Sequence, residues 1–465
     1  MIYIDDMRFK GIDFSFGFDG GNLELVPCTG EVDKARRLTM RKLESAWAFP
    51  GDPIFFEEEF FVLCPRNSGL HLVVFPDCDQ FIPTNYQKGA IHVSIGSYFE
   101  INPEAKMAGM RFRSKHLGKC YDDREPVKAG VDFRAGTISA EAVPTVPRGF
   151  EFAFQGATIS ARLFHERKVT MKAGVPPVTI NAVLQLEFGR TDDYGFARGL
   201  IEVARNVLRY CLQTSDAEFD SIELRGPRSV HKAYPPFDEV GSSTGRIGIA
   251  QMSECHGEEI RPVFHIPLGE FEKLDAGMFQ LIADGDLSMG HLVADEKRNI
   301  WDDARCILLA ASFDYEVDKL YSKGIYHSPK TLDARQLIVE YIDKAVEAAQ
   351  TKKVRDKARD IAKLLKRVVE SDSFSSRLLQ LYKDHQNVLE SIRPDLDGKD
   401  GFNGMSQRVG RLRNALAHGD LSVSADMMDL DDMIALEKIV LAVQMLRMGL
   451  NDEEAIKAIE TACER

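Results

Sequence analysis

The spacing of apolar and polar positions changes once along this chain, near residue 297. Before that point short apolar runs alternate with turn residues, and Gly and Pro recur. Phe60-Phe61-Val62-Leu63, Leu70–Phe75 and Ile180–Leu186 have the length and the β-branched and aromatic content of strands. One stretch departs from this pattern. Tyr194–Leu212 sets Phe196, Leu200, Val203, Val207 and Cys211 at helical spacing and predicts a helix. Residues 1–296 therefore read as a β-rich region, of one or two subdomains, with a packed helix. Sandwich and barrel give the same signals.

After residue 297 the apolar period becomes helical. The expected helices are Trp301–Tyr321, Leu332–Ala349, Val354–Val369, Phe374–Ile392, Gly404–His418 and Asp431–Leu446, with a short last one over Asp452–Cys463. Short polar loops such as Ser322-Lys323-Gly324 join them, which makes consecutive helices antiparallel neighbours in a bundle. The expected fold class is α+β multidomain: a β-rich region over 1–296, then an all-α bundle over 297–465.

Composition narrows the class of protein. The 465 residues are 44% apolar, enough for each domain to bury a core, and carry a net charge of −13. A pI near 5.4 argues against a protein that coats nucleic acid without specificity, because such proteins carry broad basic surfaces. It leaves room for an enzyme with a small basic site. The eight cysteines form no Cys-x-x-Cys pair and their spacings match no zinc site; no cofactor is expected. Scattered thiols suit a reducing compartment. Met1-Ile2-Tyr3-Ile4-Asp5-Asp6 lacks the basic and apolar regions of a signal peptide, and no apolar run approaches the ~20 residues of a membrane span. A soluble cytoplasmic protein with no membrane partner is expected.

Candidate chemistry concentrates in Gly404–His418, which ends Arg411-Leu412-Arg413-Asn414-Ala415-Leu416-Ala417-His418 before Gly419-Asp420. Gly419 suits the position just past a helix end. His418 then sits in the last turn, where unpaired carbonyls favour a cationic imidazole. Asn414, four residues earlier, shares its face and is placed to orient the ring. Arg413 lies about 140° from His418 around the helix, whereas Arg411 is almost on its face. Such a set suits RNA cleavage without a metal. An imidazole can deprotonate a ribose 2′-OH or protonate the leaving 5′-oxygen near neutral pH. A guanidinium can hold the charge that builds on the phosphate. One helix supplies half of this machinery, and two copies facing each other would complete it. The plain alternative is a solvated arginine pair beside a histidine that caps a helix.

Arg413-Asn414-x-x-x-His418 resembles the signature of HEPN ribonucleases: Arg, a polar residue, three more residues, then His, within an all-helical domain. The stretch Arg411–Gly419 and the helix segment Ala311–Leu320 are similar to the Apea-like HEPN group, in which a β-rich N-terminal domain precedes the HEPN domain. The resemblance is sharpest over 405–420, extends over about 297–465 and is weaker over 1–296. It implies a metal-independent endoribonuclease of prokaryotic antiviral defence, acting by abortive infection. Residues 1–296 would sense infection or restrain the nuclease. The implied partners are an RNA substrate, tRNA among the candidates, a second copy in a homodimer or higher oligomer, and a phage-encoded trigger protein. Carried over by position, Arg413 and His418 are the catalytic pair, Asn414 the polar residue that orients them, and Arg411 a second candidate with six intervening residues. Glu316 matches an acidic position of the first HEPN helix and is a candidate partner of the motif Arg or His. The alternative is a HEPN domain that only dimerises or binds a phage protein or ligand, which leaves the motif unexplained.

The most basic stretch, Lys352–Arg367, has eight basic and two acidic residues. Lys352, Lys353, Arg355, Lys363, Lys366 and Arg367 are its candidate RNA contacts, weighed against a solvated helix face. Cys255-His256-Gly257-Glu258-Glu259 mixes metal-ligand types but has no second cluster, and reads as a turn. Gly241-Ser242-Ser243-Thr244-Gly245 reads as a flexible loop without the lysine of a phosphate-binding loop. Phe55–Phe61 is expected to supply a strand and its edge.

Overall fold

A computed structural model describes residues 3–9, 11–37, 60–65, 69–76, 82–85, 88–102, 106–121, 127–132, 137–142, 147–169, 178–226, 243–249, 265–418 and 427–463. The chain forms two compact units, Met1–Gly285 and Asp286–Arg465.

The first unit is β-rich. It opens with β1 (Tyr3–Phe9), β2 (Ile12–Phe18), β3 (Asn22–Pro27) and a helical turn, α1 (32–37). Then come β4 (Phe61–Leu63), β5 (His71–Pro76), β6 (Ile82–Asn85), β7 (Ala90–Ile101), β8 (Met107–Arg113) and α2 (Leu117–Cys120). A separate hairpin, β9 (Val127–Asp132) with β10 (Thr137–Ala142), precedes β11 (Arg148–Phe154), β12 (Ala157–Val169) and β13 (Val178–Thr191). The unit ends with α3 (Tyr194–Leu212), β14 (Ser221–Arg225), β15 (Ser243–Ile249) and α4 (Glu272–Ala283).

Apart from β9 and β10, these strands form one antiparallel sheet of 13 strands, whose main path runs β1-β2-β3-β7-β15-β14-β8-β13-β12-β11. β7 is its junction. Residues 90–94 of β7 pair with β3 and β6, and residues 95–101 pair with β5 and β15. Strict alternation builds the strands. Phe14, Phe16 and Phe18 of β2 and Leu23 and Leu25 of β3 point into one core, while the residues between them stay at the surface. A two-residue turn, Gln155-Gly156, joins β11 to β12 with both φ angles positive, the geometry of a tight hairpin. Phe150 and Phe152 of β11 pack on Phe279 of α4 at ring separations of 4.9 and 5.2 Å.

The expected strands at 60–63, 70–75 and 180–186 correspond to β4, β5 and the middle of β13, and the expected helix Tyr194–Leu212 is α3. The loop expected over 241–245 is corrected in part. Ser243-Thr244-Gly245 begins β15, and Gly245 is required there because a Cβ would collide with the Glu100 carbonyl of β7. Phe55–Glu59, Gly241-Ser242 and Cys255–Glu259 lie outside the described residues.

The second unit is helical: α5 (Asp303–Leu320), α6 (Pro329–Glu347), α7 (Lys352–Glu370), α8 (Phe374–Asp384), α9 (Gln386–Ile392), α10 (Gly398–Ala417), α11 (Met427–Arg447) and α12 (Asp452–Cys463). α5 packs on α11, α10 on α8, α5 and α11, and α12 on α9. α6 and α7 pack on each other as a helical hairpin. The helix expected over Phe374–Ile392 is two helices. The chain leaves helical geometry at His385 (φ −132°, ψ 44°), whose Nδ1 lies 2.7 Å from Asp452 of α12. The helix expected to start at Gly404 begins a turn and a half earlier, at Gly398.

The expected boundary at 296/297 moves to 285/286 because residues 286–291 are tied into the helices. Asp286 pairs with Arg447 at 2.7 Å, the Ser288 N–H donates to Glu316 at 2.6 Å, and His291 Nδ1 lies 3.2 Å from the Ser312 hydroxyl.

Candidate active site at the end of α10

α10 delivers its candidate residues to different neighbours. Phe402, Met405, Val409 and Leu412 form its buried stripe. Arg411 and Arg413 flank Leu412 and so leave the stripe on opposite sides. Arg413 turns to α5, where its guanidinium lies 2.8 Å from an Asp314 carboxylate oxygen. Arg411 turns to α11, 3.4 Å from buried Asp429. The Arg413 side chain is 35% exposed and that of Arg411 60%.

Asp314 is the organising acid. Its second oxygen lies 3.3 Å from Arg377 of α8, so one carboxylate bridges two guanidiniums. Arg377 in turn grips Asp318, one turn further along α5, through two parallel hydrogen bonds of 2.7 and 2.9 Å, and donates to the Asp372 carbonyl. Burial raises the Asp314 carboxyl above its usual range, against the pull of Arg413 and Arg377. The two arginines are what keep a charge in this half-dry position. Three helices thus fix the direction from which the Arg413 guanidinium approaches solvent.

His418 is the residue that ends α10. Its backbone N–H donates to the Asn414 and Ala415 carbonyls at 3.1 and 3.2 Å, and its side chain is exposed. Among the described residues its imidazole makes no hydrogen bond. Asn414 is exposed as well, and the link between the two runs through the backbone rather than through the side-chain contact expected from their spacing. Gly419 and Asp420 lie outside the described residues.

Glu316 is corrected. It is fully buried on α5, where it accepts hydrogen bonds from the Ser288 N–H and from Gln444 and forms an ion pair with Arg447. It is therefore no partner of Arg413 or His418. Asp314, two residues earlier, holds that position and was missed. The available signal was its place on the same helix, about 200° round from Glu316.

The basic candidates lie on α7 and share about half of its circumference. Lys366 pairs with Asp343 of α6 at 2.7 Å, and Arg355 donates to the Ala349 carbonyl at 3.0 Å. Lys352, Lys353, Lys363 and Arg367 are exposed. At 100° per residue Lys352, Lys353, Lys363 and Arg367 fall within one arc of about 100°. Among the described residues no group of three His, Cys, Asp or Glu side chains is placed to hold a metal, and no helix is long and apolar enough to cross a membrane.

Comparison of the chain with protein-family models, curated proteins and solved structures found no match.

Proposed function

We propose that the helical unit is a metal-independent endoribonuclease of the HEPN type, acting in antiphage defence by abortive infection, with the β-rich unit sensing infection or restraining cleavage. The observation that carries this reading is the end of α10. An arginine held by Asp314 and an exposed histidine stand five residues apart on one helix. In the proposed reaction a base removes the ribose 2′-OH proton and the 2′-oxygen attacks the adjacent phosphorus. The bond to the 5′-oxygen breaks, and an acid protonates that oxygen. The products are a 2′,3′-cyclic phosphate and a 5′-OH. His418 supplies the base or the acid, and a second copy's His418 supplies the other. Arg413, pre-oriented by Asp314, faces the phosphate charge, and exposed Arg411, on the other side of α10, is the alternative arginine for that role.

The test is expression of the wild type and of His418→Ala under infection, together with purified chain on end-labelled RNA. Loss of the histidine is expected to lower cleavage by about 10²–10⁴-fold. Equal growth and equal RNA profiles for the two would sink the proposal. A second reading, a HEPN module that dimerises or binds without cutting, draws on the same ion pair, since Asp314 neutralises Arg413 as a structural pin would. It predicts that Arg413→Ala leaves defence intact.

A further inference from the structure

The α6–α7 hairpin buries little of its apolar surface. Ile342 and Val346 with Ala358 and Ala362 line an apolar groove of about 400 Å³ between the two helices. Above it the apolar side chains continue outward. Leu337, Ile338 and Tyr341 of α6 and Ile361, Leu364 and Leu365 of α7 are all exposed, Tyr341 at 64% and Leu364 at 62%. At 100° per residue these six fall on one common face of the hairpin. Two antiparallel helices with one shared apolar face are half of a four-helix bundle.

Charge identifies what covers the face. Asp333, Glu340 and Glu347 recur every seven residues and form a stripe along the outer edge of the α6 face, away from α7, with Lys344 the one basic residue among them. Lys353, Lys357 and Arg367 lie along the outer edge of the α7 face, with Asp360 the one acidic residue among them. Over the whole helices, α6 has three basic and four acidic residues and α7 has eight basic and three acidic. A two-fold axis parallel to the helices would set α6 of one copy on α7 of the other, so each acidic edge meets a basic one. An axis across the helices would set α6 on α6 and α7 on α7, so like edges meet. An anionic membrane or an RNA backbone would suit α7 but would be repelled along α6.

We infer that the apolar face of the α6–α7 hairpin docks a second copy of this chain, with α6 of each copy against α7 of the other in an antiparallel four-helix bundle. The inference does not depend on RNA cleavage: it uses neither Arg413 nor His418, and its readout is mass rather than activity.

The experiment is sedimentation of the full-length chain over a dilution series, with phosphatidylserine vesicles in a parallel arm. The wild type is expected to associate, and Ile361→Asp combined with Leu364→Asp to halve the mass of its particle. Circular dichroism should stay unchanged, since both side chains are exposed. Reversing the α6 edge (Asp333→Lys, Glu340→Lys, Glu347→Lys) is expected to weaken association at least about tenfold. Adding Lys353→Glu, Lys357→Glu and Arg367→Glu should restore it. A monomeric wild type overturns the inference, as does a particle whose mass Ile361→Asp/Leu364→Asp leaves unchanged. A charge-reversal loss that the second set fails to restore overturns the α6-on-α7 pairing. Vesicle binding by a monomeric wild type would assign the face to a membrane instead.

Discussion

Arg411 and Arg413 differ in what holds them, and that difference decides what each can do. Arg413 shares Asp314 with Arg377, while Arg411 reaches Asp429 at 3.4 Å with most of its side chain in water. Replacing Asp314 by Asn removes the charge common to two guanidiniums. The expected loss of stability is about 1–3 kcal/mol, read by urea unfolding. If the ribonuclease reading holds, cleavage by the folded variant also falls through kcat more than through RNA affinity. An unchanged kcat would detach Asp314 from the site. Glu316 behaves differently, because it is fully buried and Arg447 nearly so. Glu316→Gln leaves Asp286 as the acid that holds Arg447, at an expected cost of about 1–3 kcal/mol, again measured by urea unfolding. Cleavage by the fraction that remains folded should match the wild type, which would separate a structural ion pair from a catalytic one.

At the scale of the element, helix ends carry much of the precision. Ser373 caps α8: its hydroxyl accepts the Ser376 N–H at 3.1 Å, in the turn that carries Arg377. Ser373→Ala is expected to cost about 1 kcal/mol and to speed amide exchange in the first turn of α8 ahead of the rest of the helix. Uniform exchange along α8 would contradict this. The elements were legible in the sequence where pattern and cap agree. α3 is bounded as expected because its apolar spacing is continuous, Asp193 caps its start and Gln213 adopts the left-handed geometry that ends it. The break between α8 and α9 was not legible, because the apolar period runs on through His385. The break comes from backbone geometry at a residue whose side chain is held by Asp452, near the other end of the unit in sequence. The ring alternation of β2 and β11 was available in the sequence, and the side chains point as a period of two requires.

At the scale of the molecule, each unit buries one titratable group whose contribution changes between pH 7 and pH 5, in opposite senses. Burial lowers His291 of the helical unit from 6.5 to about 4, so folding there keeps it neutral. That contribution is complete above pH 6.5 and is lost as pH falls toward 4, on the order of 3 kcal/mol. Burial raises Asp275 of the β-rich unit from 3.8 to about 7. Its contribution is complete below 3.8 and is lost as pH rises through 7, with a magnitude on the order of 4 kcal/mol, the Gly269 N–H and Arg148 having already limited the rise. Hydrogen exchange resolved by unit, at pH 7 and pH 5, should therefore show 286–465 opening more readily at pH 5 and 1–285 less readily. His291→Gln should flatten the first trend. Parallel trends in the two units would contradict the assignment of these groups.

The sequence by itself determined what depends on near neighbours. It set the change from period two to a helical period, the extent of α3 and α12, and the placing of Arg411, Arg413, Asn414 and His418 over the last turns of one helix. These follow from local spacing, capping and side-chain shape, which act over a few residues. Only the tertiary structure decided which acid meets Arg413. Asp314 and Glu316 are both acidic and lie on one helix, and they differ in which neighbouring helix each one faces. That choice depends on how α5, α10 and α11 pack, an arrangement of segments far apart in the chain that local periodicity does not encode. The boundary at residue 285 has the same origin: Asp286, Ser288 and His291 read as loop residues until α5 and α11 supply their partners.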